Sequence, residues 1–298
     1  MSEVNTASPG QIEIPPRVSE FRRFYRVFLS RGVVTFGMAI VVAFLLTAAF
    51  APWLAPYDPY EQHFDKLLQA PSWQHWLGTD TLGRDTLSRI IIASRTTLMV
   101  GVIALGIAAV VGMILGLMAG YFGGLSQAII MRIMDALMAF PMILLALVIA
   151  ALLGGGLRNV MIALGIALVP GYARLMCGQA LSIKENDYVL AEHSMGASSF
   201  RIMLRHVFPN CLPPLIVMIT MMMGMTMLAE AGLSYLGIGI EAPAAAWGGM
   251  INDGYSRITT NPILSFAPGI AIMLVVFAFN MVGDGLRDAL DPRLRGTI

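Results

Sequence analysis

Charge is scarce in this chain. Asp, Glu, Lys and Arg make up 12% of its 298 residues, against 57% hydrophobic. An ordinary soluble domain is about one quarter charged. So few charges cannot cover a water-facing surface, which excludes an ordinary soluble protein and points to lipid as the solvent. Lysine is almost missing: only Lys66 and Lys184 occur, and neither follows a glycine. That excludes the G-x-x-x-x-G-K phosphate loop and ATP hydrolysis by that route. The four histidines, His63, His75, His193 and His206, form no H-E-x-x-H pair, and no G-x-S-x-G nucleophile elbow is found. GDG at 283–285 lacks the order and the second mid-span Asp of an intramembrane aspartyl protease. The two cysteines, Cys177 and Cys211, have no C-x-x-C spacing, so they give neither a disulfide framework nor a zinc site and read as small buried apolar residues. An enzyme is not expected, nor a metal or cofactor on this chain.

Long apolar runs are what the sequence has. A helix rises about 1.5 Å per residue and the hydrocarbon core is about 30 Å thick, so a span needs about 20 apolar residues. Six stretches approach this, near 33–55, 97–120, 133–153, 159–178, 212–236 and 263–283. The fourth is the weakest, being interrupted by Pro170 and carrying Arg174 near its end. The first is too long for a signal core and reads as an uncleaved span. Lipid admits helices or closed barrels, and the alternation of barrel strands is absent, so the expected fold is all-α and polytopic. Thirteen of the nineteen basic residues, Arg17, Arg22, Arg23, Arg26, Arg293 and Arg295 among them, fall on one side if the N-terminus is cytoplasmic. The positive-inside rule then places both termini in the cytoplasm. The domain plan is a tail at 1–32, with its first 16 residues disordered, a transmembrane domain at 33–283, and a tail at 284–298. Outer loops at 56–96 and 237–262 and an inner loop at 179–211 interrupt the spans.

The inner loop holds DYVLAEHSMGASSFRIMLRHVFPN at 187–210, polar and helix-like between two greasy runs. Tyr188, Ala191 and Met195 recur at helical spacing. Gly196 can end that helix in a left-handed conformation, and Ser198 or Ser199 can cap the next. Phe200, Met203, Leu204 and Val207 predict one apolar face, opposite Arg201 and Arg205, and Pro209 is a stop. Two short amphipathic helices must dock to be stable. They either lie on lipid headgroups or fit a groove on a cytoplasmic partner.

This loop resembles the E-A-A-x-x-x-G loop of permease subunits of binding-protein-dependent ABC importers. Gly196 and the pair Phe208-Pro209 match its spacing, and Leu190-Ala191-Glu192 retains its central alanine. WLGTDTLGRDTLSRI at 76–90, MRIMDALMAFPMILLAL at 131–147, AEAGLSYLGIGIEAPAAAWGGM at 229–250 and FNMVGDGLRDALDPRL at 279–294 resemble segments of the dipeptide, oligopeptide and nickel permeases, in particular the dipeptide C-type subunit. The resemblance implies a type I ABC importer permease of the bacterial cytoplasmic (inner) membrane, moving di- or oligopeptides or a related solute such as nickel. It implies a second homologous permease, two ATP-binding subunits that carry ATP and Mg, and an extracytoplasmic substrate-binding protein; nucleic acid is no partner. The inner loop becomes a coupling helix on an ATPase, with Asp187, Tyr188, Ala191, Glu192, Gly196, Ala197, Arg201, Arg205 and Pro209 as its candidate residues.

Other candidates keep two readings. Asp135 can pair with Arg132 at i, i+3 or stand on the translocation path. Glu230 can line a gate or hydrogen-bond within the bundle. Met221 and Met225, in a run of methionines, are expected as flexible filler along a pore or helix interface. Asp80, Arg84 and Asp85 can touch the binding protein or pack locally, and Trp247 can do the same or, like Trp76, anchor at headgroups. The rival class is a self-sufficient transporter in which Asp135 and Glu230 relay protons.

Overall fold

A computed structural model describes Phe28 and residues 31–290. The expected disorder of the first 16 residues, and Arg17, Arg22, Arg23, Arg26, Arg293 and Arg295, lie outside the described residues. Ten helices are described: α1 Gly32–Leu54, α2 Thr86–Phe122, α3 Gly124–Met138, α4 Met142–Leu153, α5 Gly156–Lys184, α6 Asp187–Ser194, α7 Ser199–Ile202, α8 Phe208–Tyr235, α9 Trp247–Tyr255 and α10 Ile263–Leu290. A single π-turn, Met203–Val207, joins α7 to α8. Among the described residues the only β pairing is an isolated bridge between Thr79 and Asp85. The all-α expectation holds.

Five of these helical stretches are long and apolar enough to cross a membrane. The sixth expected span, 133–153, is not one straight helix. It breaks between α3 and α4, which meet at 90°. Pro141 sits at the break; it lacks an N–H and drives the preceding residue out of helical conformation. With 12 residues, α4 is only about 18 Å long, so the pair spans only when taken together. The boundaries also move. Helix α2 begins inside the loop expected to run to 96, α9 forms inside the loop 237–262, and α10 continues past 283 to Leu290.

The run that looked weakest is the centre of the bundle. In its most apolar window α5 is 72% buried, against 28–39% for the other four. It also has the lowest hydropathy of the five. A helix enclosed by protein needs less greasy surface than one facing lipid, and Pro170 sits in α5 without ending it. Helix α5 lies against α2 because Gly112, Gly116 and Gly120 offer no side chains there. A Cβ on Gly120 would stand 2.6 Å from the Cys177 carbonyl oxygen, and one on Gly112 2.9 Å from that of Val169. Both cysteines are free and buried, Cys177 in α5 and Cys211 in α8. At one end of the bundle α1 meets α10, where Arg31 and Asp288 pair at 2.9 Å. That end also carries α6 and α7. The loop 55–85 and α9 close the opposite end.

Candidate functional site

The segment 187–207 is built as two helices and a turn. Helix α6 ends as the glycine predicts: Gly196 has φ +83°, its N–H reaches the His193 carbonyl at 3.0 Å, and the Ala197 N–H reaches that of Glu192 at 3.1 Å. No heavy atom lies within 4 Å of a Cβ built on Gly196, so only the backbone conformation demands glycine. Ser198 occupies the N-cap of α7 but makes no side-chain cap bond. Pro209 does not stop the helix. It falls in the first turn of α8, where its missing N–H is tolerated, and the chain stays helical through the π-turn.

The buried face also differs from the expected one. Val189, Ile202, Met203 and Val207 are buried and join Leu117, Tyr172, Met176 and Cys211 in one core cluster. Tyr188, Leu190, Met195, Phe200 and Leu204 are exposed. Tyr188, Ala191 and Met195 therefore face outward together, whereas the expected single face of Phe200, Met203, Leu204 and Val207 is split, Met203 and Val207 being covered and Phe200 and Leu204 not. The physical reason is that docking to α2 and α5, not the segment's own periodicity, selects the side that is covered. Asp187, Ala191, Arg201, Arg205 and Pro209 share the exposed side, while Ala197 is half-buried. Glu192 is half-buried, with its Oε1 3.6 Å from His206 Nε2. Asn210 ties the two ends of the segment together: its Nδ2 donates to the Tyr188 hydroxyl at 3.3 Å and to the His206 carbonyl at 2.6 Å.

Beside this segment opens a cavity of about 730 Å³, lined by Tyr188, Asn210, Gln179, Met218, Met221 and Arg287 among others. Both Met221 and the segment residue Tyr188 line it. Met225 is exposed elsewhere on α8. Asp135 pairs with Arg174 of α5, not with Arg132 on its own helix. Glu230 is sealed inside the bundle at 0% exposure. Its Oε1 accepts from Ser234 Oγ at 2.7 Å, and Ser234 Oγ accepts from the Ile240 N–H at 3.2 Å. Of the two readings of Glu230, the structure shows the bundle hydrogen bond.

At the opposite end a buried ion cluster organises the loop 55–85. One oxygen of Asp80 accepts from the Leu82 and Arg84 N–H groups at 2.9 and 3.0 Å. Its other oxygen takes Arg84 Nε at 2.7 Å and lies 3.5 Å from Arg89 Nε. Arg89 also donates to the Pro59 carbonyl at 3.1 Å. Asp85 caps α2 through Ser88 N at 2.8 Å and faces His75 Nδ1 at 2.9 Å. Trp247 is 2% exposed and donates to the Ile90 carbonyl at 3.0 Å. Asp80, Arg84, Asp85 and Trp247, candidates for contact with a binding protein, are thus buried inside this chain. Buried ions persist only when paired: Asp80 pairs with Arg84 and Arg89, and Asp85 with His75. Trp247 is likewise no headgroup anchor; the exposed tryptophans of this end are Trp53, Trp73 and Trp76. Asp253 Oδ2 lies 4.0 Å from Arg84. Partial burial raises the Asp253 carboxyl from its ordinary value, against the pull of Arg84 and Arg89.

Several residues of these clusters were not legible beforehand. His75 and Arg89 carry no pattern of their own. The spacing Gly112-x-x-x-Gly116-x-x-x-Gly120 was a usable sign of close helix packing, and Pro141 of the break.

The model of the family described as "binding-protein-dependent transport system inner membrane component" matches residues 112–296. That of the "N-terminal TM domain of oligopeptide transport permease C" matches 19–71. The glutathione transport system permease protein GsiD of Pectobacterium atrosepticum is 42% identical over 277 residues, 92% of each chain. GsiD of an Escherichia coli strain is 41% identical over 290 residues, 97% of this chain and 94% of that one. The dipeptide transport system permease protein DppC of Alkalihalophilus pseudofirmus is 41% identical over 278 residues, 93% and 91% of the two chains.

Proposed function

The chain belongs to the family of binding-protein-dependent transport system inner membrane components, and from that premise we propose that it is one of two permease subunits of an ATP-driven importer of short peptides. Peptide cargo is supported by the relatives, which are named for glutathione and dipeptides. A permease of such a system implies a binding protein outside and ATP-binding subunits inside. The segment 187–207 would be the handle that the ATPase grips. The single observation carrying this role is its divided surface: one face locked into the core by Val189, Ile202 and Val207, the other presenting Leu190, Met195 and Phe200 uncovered. A short helix pair with an uncovered apolar face is the kind that docks into a partner's groove.

The proposed cycle follows from that attachment. Nucleotide binding closes the ATPases, the segment moves with them, and the bundle tilts from inward-open to outward-open. The binding protein then releases cargo into the outward-open bundle, and hydrolysis resets it. Because Tyr188 belongs both to the segment and to the cavity of about 730 Å³, movement of the handle reshapes a cavity wall directly. Both termini would face the cytoplasm.

The test is reconstitution. Peptide uptake into vesicles holding this chain and its partner permease should require the ATPases, the binding protein and ATP. Uptake by the permeases alone, driven by a proton gradient, would replace this reading with that of a secondary transporter.

A further inference from the structure

Between the ion cluster and α9 lies a second cavity, of about 280 Å³, lined by Arg84, Ser234, Glu241, Gly249, Asn252 and Asp253 among others. That volume lies just below the range of small-molecule pockets, which start at about 300 Å³. It is of a size for a solute of two or three residues.

Arg84 is 3% exposed, and its guanidinium is only partly used. Nε is committed to Asp80 at 2.7 Å. The remaining donors find no hydrogen-bond acceptor among the described residues, and Asp253 Oδ2, at 4.0 Å from the nearest of them, stands too far for one. Asp80 must also serve Arg89, so one carboxylate faces two guanidiniums. A buried guanidinium with spare donors is suited to a carboxylate, which it binds in bidentate fashion. Opposite charge is available in the same lining. Glu241 is exposed and makes no ion pair among the described residues, and Asp253 is half-exposed. The rest of the lining includes Ala242, Ala244 and Gly249, whose small size leaves space for varied side chains.

We infer that this cavity is a holding site for the cargo itself, a short zwitterionic peptide. Its α-carboxylate goes to the free donors of Arg84 and its ammonium group to Glu241 and Asp253. The inference rests on the proposed function and adds to it the site and the requirement for two free termini.

Gly249 provides the test. A Cβ at that position meets nothing within 4 Å, so Gly249→Ala, Gly249→Leu and Gly249→Phe introduce progressively larger side chains at an uncrowded position of the cavity lining. Glu241→Gln removes one charge from an exposed position. Each variant is assembled with its partner permease, ATPases and binding protein in proteoliposomes, and uptake of radiolabelled Ala-Ala and glutathione is measured. The maximal rate should fall progressively along the Gly249 series, and Glu241→Gln should lower it by about tenfold, the size expected for one charge-assisted hydrogen bond. KM should stay unchanged, because capture by the binding protein sets it. A wild-type maximal rate in either Gly249→Phe or Glu241→Gln overturns the inference. So does a raised KM at an unchanged maximal rate, which would make the cavity a docking contact for the binding protein. If the wild-type assembly takes up neither peptide, the proposed function itself fails; if it takes up one and the variants match it, only the cargo site falls.

Discussion

Asp80 and Arg84 form a closed unit at the mouth of the loop: the Arg84 Nε lies 2.7 Å from one Asp80 oxygen, while the Arg84 backbone N–H reaches the other at 3.0 Å. Side chain and main chain of one residue thus hold both oxygens of another, and both residues are buried. Removing the carboxylate would take the ion pair from Arg89 and leave Arg84 only the more distant Asp253 carboxylate. Asp80→Ala should therefore destabilise the protein by about 3–5 kcal/mol, the cost of breaking a buried pair. Limited proteolysis should find the loop 55–85 cut far faster than in the wild type.

Asp85 does two jobs, capping α2 at Ser88 and holding His75 at 2.9 Å. Asp85→Ala should cost about 1–2 kcal/mol through the cap alone. Asp85→Asn retains a cap acceptor and should cost less. Thermal unfolding of the detergent-solubilised protein measures the difference, and equal losses in the two variants would contradict the cap.

Gly196 is required by its φ of +83°, not by crowding. Gly196→Val should strain the backbone by about 1–2 kcal/mol. Insertion into the membrane should be normal, and peptide-stimulated ATPase activity of the assembled complex should fall. Gly196→Asn, which tolerates the left-handed region, should retain most of that activity. If Asn and Val behave alike, the backbone explanation is wrong.

Gly116 lies where α2 touches α5, and a Cβ there would meet the Ala173 carbonyl and, at 2.7 Å, the Met176 Cβ. Gly116→Leu should force the helices apart and lower the melting temperature of the solubilised chain by several degrees, since overpacking costs about 1–3 kcal/mol. Gly106→Leu, where a Cβ meets nothing within 4 Å, should melt like the wild type.

Asp253 gives a pH dependence of defined sign. Its carboxyl is raised by burial, so the folded chain holds that proton more tightly than the unfolded chain. The stabilisation is complete below the unfolded value of about 4 and is lost as pH rises through the higher folded value. Asp253→Asn should flatten the fall in stability across that window. An unchanged pH profile of thermal unfolding would argue against the shift.

The sequence by itself determined the apolar runs and their approximate lengths, because the thickness of lipid fixes how long a greasy stretch must be. It also determined the turn at Gly196, because a left-handed residue is a local requirement of the chain. Tertiary structure decided everything that depends on partners remote in sequence. Asp135 turned from Arg132 on its own helix to Arg174 on α5. Val189 and Ile202 were covered while Tyr188 and Phe200 were not, although both sets are apolar. Helix α5 became the centre of the bundle despite Pro170 and its low hydropathy. Asp80, Arg84 and Trp247 went inside. Each of these outcomes turns on which side of a helix meets a neighbour, and that is set by how the helices pack together, a property no local stretch of residues contains.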